Sequence, residues 1–112
     1  MKKIQAIIRT GMLEPLKEAS FAAGLGGMTV TTVHGVGKQG GWKEFFRGSE
    51  ILVNMRNKMQ VEFVVADEDV EKVVDLICET CRTGEVGDGK IFVMPVEEVI
   101  RIRTGERGID AL

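Results

Sequence analysis

The strongest constraint on the fold is a strand–helix–strand pattern that occurs twice along the chain. Residues 2–9 and 59–66 alternate between two faces, with apolar side chains concentrated on one of them, as in a half-buried β-strand. Each run is followed by apolar residues at helical spacing and then by further β-prone residues. The predicted strands are 2–9, 28–34, 59–66, 91–94 and 99–103; the predicted helices are 13–23 and a segment that starts at Asp67 as N-cap and reaches Cys81.

Two similar halves predict an α+β fold of the ferredoxin-like βαββαβ type, with both helices on one face of the sheet. The opposite face would carry residues such as Ile7 and Val64, which are too apolar to leave in water. We therefore expect an oligomer to cover that face. The 112 residues fit one domain, 1–112. The segment between the second and third strands exceeds the usual connection length, which is typical of functional or disordered segments.

Charge and hydropathy exclude several classes of protein. Fifteen Lys and Arg against 17 Asp and Glu give no electrostatic basis for nucleic acid or an anionic membrane as the main partner. No run approaches the roughly 20 apolar residues of a membrane span. Gln5 and Arg9 interrupt the first apolar run, so we expect no signal peptide. With two cysteines, the expected location is the reducing cytoplasm, with only peripheral membrane contact through a partner.

The cysteines and the single histidine are interpreted as structural residues. Cys78 and Cys81 lie on the apolar stripe at the C-terminal end of the second helix, where the helix dipole disfavours a thiolate. One CxxC pair cannot complete a zinc site. His34 ends a predicted strand without an evident acid–base partner. No catalytic residue is therefore assigned.

Three separate elements are suited to an anion. The glycine-rich run 84–90, GEVGDGK, ends in Lys90, although its spacing is not that of a Walker A motif and a plain tight turn is the alternative. Arg101 and Arg103 would leave the same face of the predicted last strand, where an anion would relieve their repulsion; a solvated edge strand is the alternative. Together with the run Gly35-Val36-Gly37, they favour a polyphosphate site.

The run WKEFFRGSEI, residues 42–51, lies in the long segment and is predicted to be a loop. It follows Gly40-Gly41 and carries Trp42, Phe45 and Phe46 among charged residues. Large apolar side chains usually lie in a core, so these aromatics are unusual in a predicted loop.

The two runs GVGKQGGWKEFFRGSEI and CRTGEVGDGKIFVMPVEEVIRIRTGE resemble the PII nitrogen-regulatory signal proteins, in register over the whole chain. The resemblance implies a homotrimer that binds ATP or ADP in the clefts between subunits. The GDGK run would hold the phosphates, and the two arginines of RIR would reach in from the neighbouring subunit. The implied nucleotide-binding residues are Thr29, Gly35, Gly37, Lys38, Gln39, Val64, Gly87, Asp88, Gly89, Lys90, Arg101 and Arg103.

A second ligand implied by the resemblance is 2-oxoglutarate, bound beside a Mg²⁺ that the ATP phosphates help to coordinate. Gln39 matches the metal ligand of the family, and Lys58 matches the lysine that pairs with the distal carboxylate. Gly37 and Gly41 would complete this site. ADP lacks the γ-phosphate and should not support 2-oxoglutarate binding.

The same resemblance divides the loops by function. A T-loop at about 37–55 would change conformation with the bound ligands, beside a B-loop at about 82–90 and a C-terminal loop at about 102–112. The regulated partner would be an ammonium transporter or an enzyme of nitrogen metabolism. Aromatic and arginine side chains often anchor protein–protein interfaces, and the residues implied to contact the partner are Trp42, Phe45, Phe46, Arg47 and Ile51.

The chain departs from the family pattern at several positions. Lys38-Gln39-Gly40-Gly41 replaces the usual Arg-Gln-Lys-Gly, and Arg9-Thr10 replaces the usual Lys-Pro. Ile51 stands where relatives carry the uridylylated tyrosine, which excludes that modification there. Ser49 matches a serine phosphorylated in some relatives, but we expect no modification.

The leading hypothesis is a non-enzymatic sensor of nitrogen, carbon and energy status. The alternative is a small ATP-hydrolysing or phosphate-ester enzyme on a ferredoxin-like scaffold, for which no general base or nucleophile can be placed. An RNA-binding sheet would need exposed aromatics on its central strands. Residues 59–66 offer only Phe63, which alternation places on the helix side, so that class is rejected.

Overall fold

A computed structural model describes residues 1–36 and 55–112 in full, and it gives the backbone of two strands at 42–46 and 49–53. Short 3₁₀ turns at Thr10–Met12, Asp67–Asp69 and Gly108–Ala111 accompany the main elements. The strands are β1 (Lys2–Arg9), β2 (Thr29–Gly35), β3 (Trp42–Phe46), β4 (Ser49–Val53), β5 (Arg56–Val65) and β6 (Lys90–Pro95), and the helices are α1 (Leu13–Ala22) and α2 (Val70–Cys81).

The four long strands form one antiparallel sheet in the order β2-β5-β1-β6. The two central strands are those with the alternating pattern, and Ile4 of β1 lies opposite Phe63 of β5. Helix α1 contacts α2, and α2 packs on β1. This is the ferredoxin-like arrangement, so the predicted fold class is confirmed.

The core lies between the helices and one face of the sheet. Ile4, Ala6 and Ile8 are buried from β1, while Val61 and Phe63 are buried from β5. The helices add Leu16, Val73, Ile77 and Cys81 to this core. Phe63 is only 2% exposed, so the predicted orientation toward the helices is confirmed.

The opposite face of the sheet is apolar in part, and neither α1 nor α2, the two helices among the described residues, covers it. Val64 and Phe92 are 36% and 46% exposed. Phe92 pairs with Gln5, and Ile7 on the same face of β1 is half-buried. The oligomer expected to cover this face stays a prediction.

The start of α2 differs from the prediction. Asp67 does not cap the helix; its Oδ1 lies 2.8 Å from the N-terminal ammonium of Met1. A 3₁₀ turn at Asp67–Asp69 comes first, and Asp69 occupies the N-cap position without a side-chain hydrogen bond. The Asp67 carboxylate has a charged partner at the chain terminus, and that pairing lowers the pKa of this carboxyl.

The run predicted to be one loop contains two strands. β3 pairs with β4 antiparallel in a separate two-stranded sheet, with Trp42 opposite Val53 and Phe46 opposite Ser49. Aromatic and branched residues favour extended backbone, and the interspersed charges concealed that preference in the sequence.

The predicted last strand at 99–103 is wrong. Only an isolated bridge joins Ile100 to Arg107, and the chain turns at 102–104. Gly105 closes the turn with φ +74° and donates its N–H to the carbonyl of Arg101 at 2.7 Å. Arg101 and Arg103 therefore do not share one face of a strand. Within the fully described parts of the chain, no helix is long and apolar enough to cross a membrane.

Candidate functional site

A glycine-rich loop between α2 and β6 is organised around the carboxylate of Asp88. Asp88 Oδ2 accepts the backbone N–H of Thr83 at 2.8 Å and that of Gly84 at 2.9 Å. Asp88 Oδ1 accepts the hydroxyl of Thr83. These hydrogen bonds close residues 83–88 into a compact turn, because one side chain holds the beginning of the loop against its end.

Two glycines with positive φ bracket Asp88. Gly87 has φ +106° and Gly89 has φ +103°, a conformation that residues with a Cβ rarely adopt. At Gly89 the backbone also passes very close to β1. A Cβ there would lie 1.6 Å from the carbonyl oxygen of Ile7, which only glycine avoids.

Two cations of the sheet attach the loop to the strands. Arg9 at the end of β1 donates through Nε to Asp88 Oδ1 at 3.2 Å and through Nη2 to the carbonyl of Val86 at 2.9 Å. Lys58 of β5 donates from Nζ to the carbonyl of Gly87 at 2.7 Å. The loop is thus fixed to both central strands.

The electrostatics of this corner favour an incoming anion. Arg9 and Lys58 lie directly opposite each other in the β1–β5 register, and Lys58 is only 9% exposed. Burial lowers the pKa of Lys58, and the positive charges of Arg9 and Arg56 lower it further. The negative charge of Asp88 opposes this lowering, but it is a single carboxylate beside the three cations Arg9, Arg56 and Lys58. A bound anion would stabilise these charges.

Asp88 itself is held in the ionised form. The hydrogen bonds from Thr83, with contributions from Gly84 and Arg9, hold the pKa of this carboxyl well below its ordinary range. A carboxylate of such low basicity is a poor proton acceptor at neutral pH. Its role in this loop is structural.

The low pKa of Asp88 predicts a pH dependence. A depressed folded-state pKa contributes stability that is present above the unfolded pKa of about 4 and is lost as the pH falls through the folded value. The difference in free energy of unfolding between wild type and Asp88→Asn should therefore be constant near neutrality and shrink below about pH 4. Urea unfolding across pH measures it. Asp75→Asn, at an exposed position of α2, serves as control. A difference that vanishes already near pH 7 would contradict this role.

A cavity of about 360 Å³ opens beside the loop, between α2 and the β1 and β6 strands. Asp88, Gly89 and Lys90 form one side of it. Cys78 and Cys81 of α2 also line the cavity. Cys81 is buried, and burial raises the pKa of its thiol. The interpretation as a core cysteine is confirmed for Cys81, whereas Cys78 is half-buried.

Comparison with known proteins identifies the relatives of this chain. The family model described as nitrogen regulatory protein P-II matches residues 1–106. The chain belongs to the P-II family. A nitrogen regulatory protein P-II of Nostoc punctiforme is 54% identical over 112 residues, and one of Rhizobium meliloti is 53% identical. One of Pasteurella multocida is 50% identical, and in all three cases the whole of both chains is covered.

Membership of the P-II family confirms the resemblance found in the motifs. It supports a role in nitrogen signal transduction, in keeping with the regulatory name of the relatives. The antiparallel four-stranded sheet with two helices fits the P-II fold.

The residues that the resemblance implies for nucleotide binding, together with Lys58 of the implied 2-oxoglutarate site, fall into separate groups within one chain. Lys58 lies at the loop corner beside Gly35, where a Cβ on Gly35 would contact the Lys58 side chain at 3.5 Å. Lys90 begins β6 opposite Ile7 and is exposed. The members of this first group are Gly35, Lys58, Gly87, Asp88, Gly89 and Lys90.

A second group lies at the far end of the same sheet. Thr29 pairs with Glu62, and Val64 follows two residues later on β5. Six residues of extended strand separate Val64 from Lys58, which is about 20 Å. The fold of a single chain therefore does not bring Thr29 and Val64 to the loop.

The two arginines form a third group in the C-terminal segment. Arg101 pairs with Glu106 at 3.1 Å and donates to the carbonyl of Leu112 at 3.1 Å. Arg103 is exposed within the turn. Gly37, Lys38, Gln39, Gly41 and Arg47 lie outside the described residues, as do the side chains of Trp42, Phe45, Phe46, Ser49 and Ile51.

Sequence analysis missed two residues of the loop corner. In the sequence, Arg9 interrupts the first apolar run and departs from the family pattern, and Thr83 is one letter of a longer motif; neither observation places these residues beside the loop. The Thr83-Gly84 pair ahead of Asp88 is a sequence indication of the hydrogen-bonded turn, because threonine and aspartate side chains readily form hydrogen bonds with nearby backbone N–H groups. Nothing in the sequence indicated that Arg9 reaches across to this loop.

Proposed function

We propose that this chain is a nitrogen, carbon and energy sensor that binds ATP or ADP at the loop 87–90 and regulates a partner protein. The observation that carries the proposal is the preformed glycine loop beside several cations. Asp88 holds the loop closed, and Lys58, Arg9 and Lys90 lie around it. Such a corner suits a polyphosphate, since backbone amides and point charges both favour anions.

The separation of the candidate residues supports a site shared between subunits. Thr29 and Val64 lie at the opposite end of the sheet from Lys58, so the full residue set can meet only when a second copy contributes. A homotrimer with a nucleotide in each cleft fulfils this requirement, and it would also cover exposed Val64 and Phe92. Arg101 and Arg103 would approach the phosphates from the neighbouring subunit.

With Mg-ATP bound, the second ligand is 2-oxoglutarate. The buried ammonium of Lys58, crowded by Arg9, would be stabilised by a carboxylate of this ligand. Among residues 1–36 and 55–112, no three His, Cys, Asp or Glu side chains converge as a metal site. As the resemblance to the family implies, Mg²⁺ would be held by the ATP phosphates and the side-chain oxygen of Gln39, a hard donor that suits this ion. Gly37 and Gly41 would line the same site.

The response would be carried by residues 37–55, which include β3 and β4. Ligands at the base of this segment would change its conformation, and Trp42, Phe45, Phe46, Arg47 and Ile51 would contact an ammonium transporter or an enzyme of nitrogen metabolism. In this account the protein acts in the cytoplasm and meets a membrane only through its partner. The phosphohydrolase alternative is less favoured, because the sequence offers no general base or nucleophile that can be placed beside the loop.

The first test is calorimetric titration of Mg-ATP and of ADP into the purified protein. Both should bind, and Lys90→Gln should weaken binding by about tenfold through loss of one charge-assisted contact. Lys17→Gln, which removes a charge on α1 that pairs with Glu14, is the matched control and should bind as wild type does. Failure of both nucleotides to bind would overturn the proposal.

A further inference from the structure

The guanidinium of Arg9 connects the end of β1 to two points of the loop. It reaches Asp88 Oδ1 at 3.2 Å and the carbonyl of Val86 at 2.9 Å, through two different nitrogens. Arginine offers such donors in a fixed fork, whereas lysine presents one compact ammonium. The side chains of Arg9 and Asp88 are 31% and 24% exposed, so solvent screens this contact only in part.

The position of Arg9 is unfavourable without that contact. It lies directly opposite Lys58, and its charge contributes to lowering the pKa of Lys58. Like charges opposite each other destabilise an antiparallel pair. The contact with ionised Asp88 offsets the repulsion, which gives Arg9 a defined orientation toward the loop.

Asp88 links Arg9 to the rest of the loop through hydrogen bonds. The same oxygen that accepts from Arg9 also accepts the hydroxyl of Thr83, and the second oxygen accepts the N–H groups of Thr83 and Gly84. When Arg9 holds Asp88, it therefore holds both ends of the turn. The contact with Val86 holds its middle.

We propose that Arg9 is a positioning residue that fixes loop 83–88 in its anion-binding conformation. The inference rests on the proposed nucleotide site and adds a residue on which its affinity depends. Arg9 acts through Asp88 and Val86, so its effect comes from geometry as well as charge. A lysine at this position would keep the charge but lose the two-point attachment.

The test combines two measurements on Arg9→Ala, Arg9→Lys and the control Lys17→Ala. In the ligand-free protein, amide hydrogen exchange at Thr83 and Gly84 should be about tenfold faster in Arg9→Ala and unchanged in the control. In calorimetry with Mg-ATP, Arg9→Ala should bind about tenfold more weakly and Arg9→Lys about threefold more weakly than wild type. Circular dichroism checks that each variant is folded.

Two results would overturn the inference. Unchanged exchange at Thr83 and Gly84 in Arg9→Ala would show that Arg9 does not hold the loop. Wild-type affinity in Arg9→Lys would show that only charge matters. If wild type itself binds no nucleotide, the proposed function fails, while the exchange measurement still decides whether Arg9 positions the loop.

Discussion

Gly89→Ala is expected to lower the free energy of unfolding by roughly 2–5 kcal/mol and to abolish nucleotide binding. Two costs combine at this position. The φ of +103° is strained for any residue with a Cβ, and the new methyl group would lie 1.6 Å from the carbonyl oxygen of Ile7. Both the new Cβ and the carbonyl oxygen of Ile7 are fixed to the backbone, so a side-chain rotation cannot relieve the clash. The loop would have to move away from β1.

The matched control is Gly24→Ala after α1. Gly24 also has positive φ, +76°, but a Cβ there would meet nothing within 4 Å. This variant should show only the conformational cost of about 1 kcal/mol and keep nucleotide binding. Urea unfolding at equal protein concentration compares the two, since the proposed assembly would make stability depend on concentration. Equal effects at both positions would mean that the close approach to Ile7 does not constrain the loop.

Phe63→Ala should cost about 3–5 kcal/mol of unfolding free energy, because it leaves a cavity in the core. Phe63 is 2% exposed on the helix side of β5, opposite buried Ile4. Phe21 on α1 is 87% exposed, so Phe21→Ala should change stability by less than about 0.5 kcal/mol. Thermal or urea unfolding of the pair makes the comparison. A loss below about 1 kcal/mol for Phe63→Ala would be incompatible with its place in the core.

The elements that sequence predicts well are those with one buried face. Ile4, Ala6 and Ile8 alternate in β1 because every second side chain enters the core. In α2, Val73 and Ile77 recur at helical spacing because one face of the helix is buried. Burial imposes a period on the sequence, and the fold class follows from the order of such segments.

Prediction failed where no buried face imposes a period. Ile100 and Ile102 alternate with arginines at 99–103, yet Ile102 is 99% exposed and the chain turns there. The pattern alone therefore gave a false strand. The carboxylate of Asp67 was expected to cap α2, but it accepts a hydrogen bond from the N-terminal ammonium of Met1, which is distant in sequence. Local propensity contains no information about such a contact.

One part of the candidate site could be predicted from the sequence, and another part could not. The motif GDGK locates the loop because glycines with positive φ are required on both sides of Asp88. The attachment of the loop by Arg9 and Lys58 depends on strand register, which places both residues at one corner of the sheet. Register is a property of the folded sheet and could not be assigned from a single motif.

We propose that loop 87–90 and Lys58 form one ligand-sensing site, and titration of 2-oxoglutarate shows whether they do. Calorimetry is carried out with saturating Mg-ATP and again with saturating ADP, on wild type and on Gln39→Ala. We expect 2-oxoglutarate to bind to wild type with Mg-ATP, not to bind with ADP, and not to bind to Gln39→Ala under either condition. Equal binding of 2-oxoglutarate with ADP, or undiminished binding to Gln39→Ala, would contradict it.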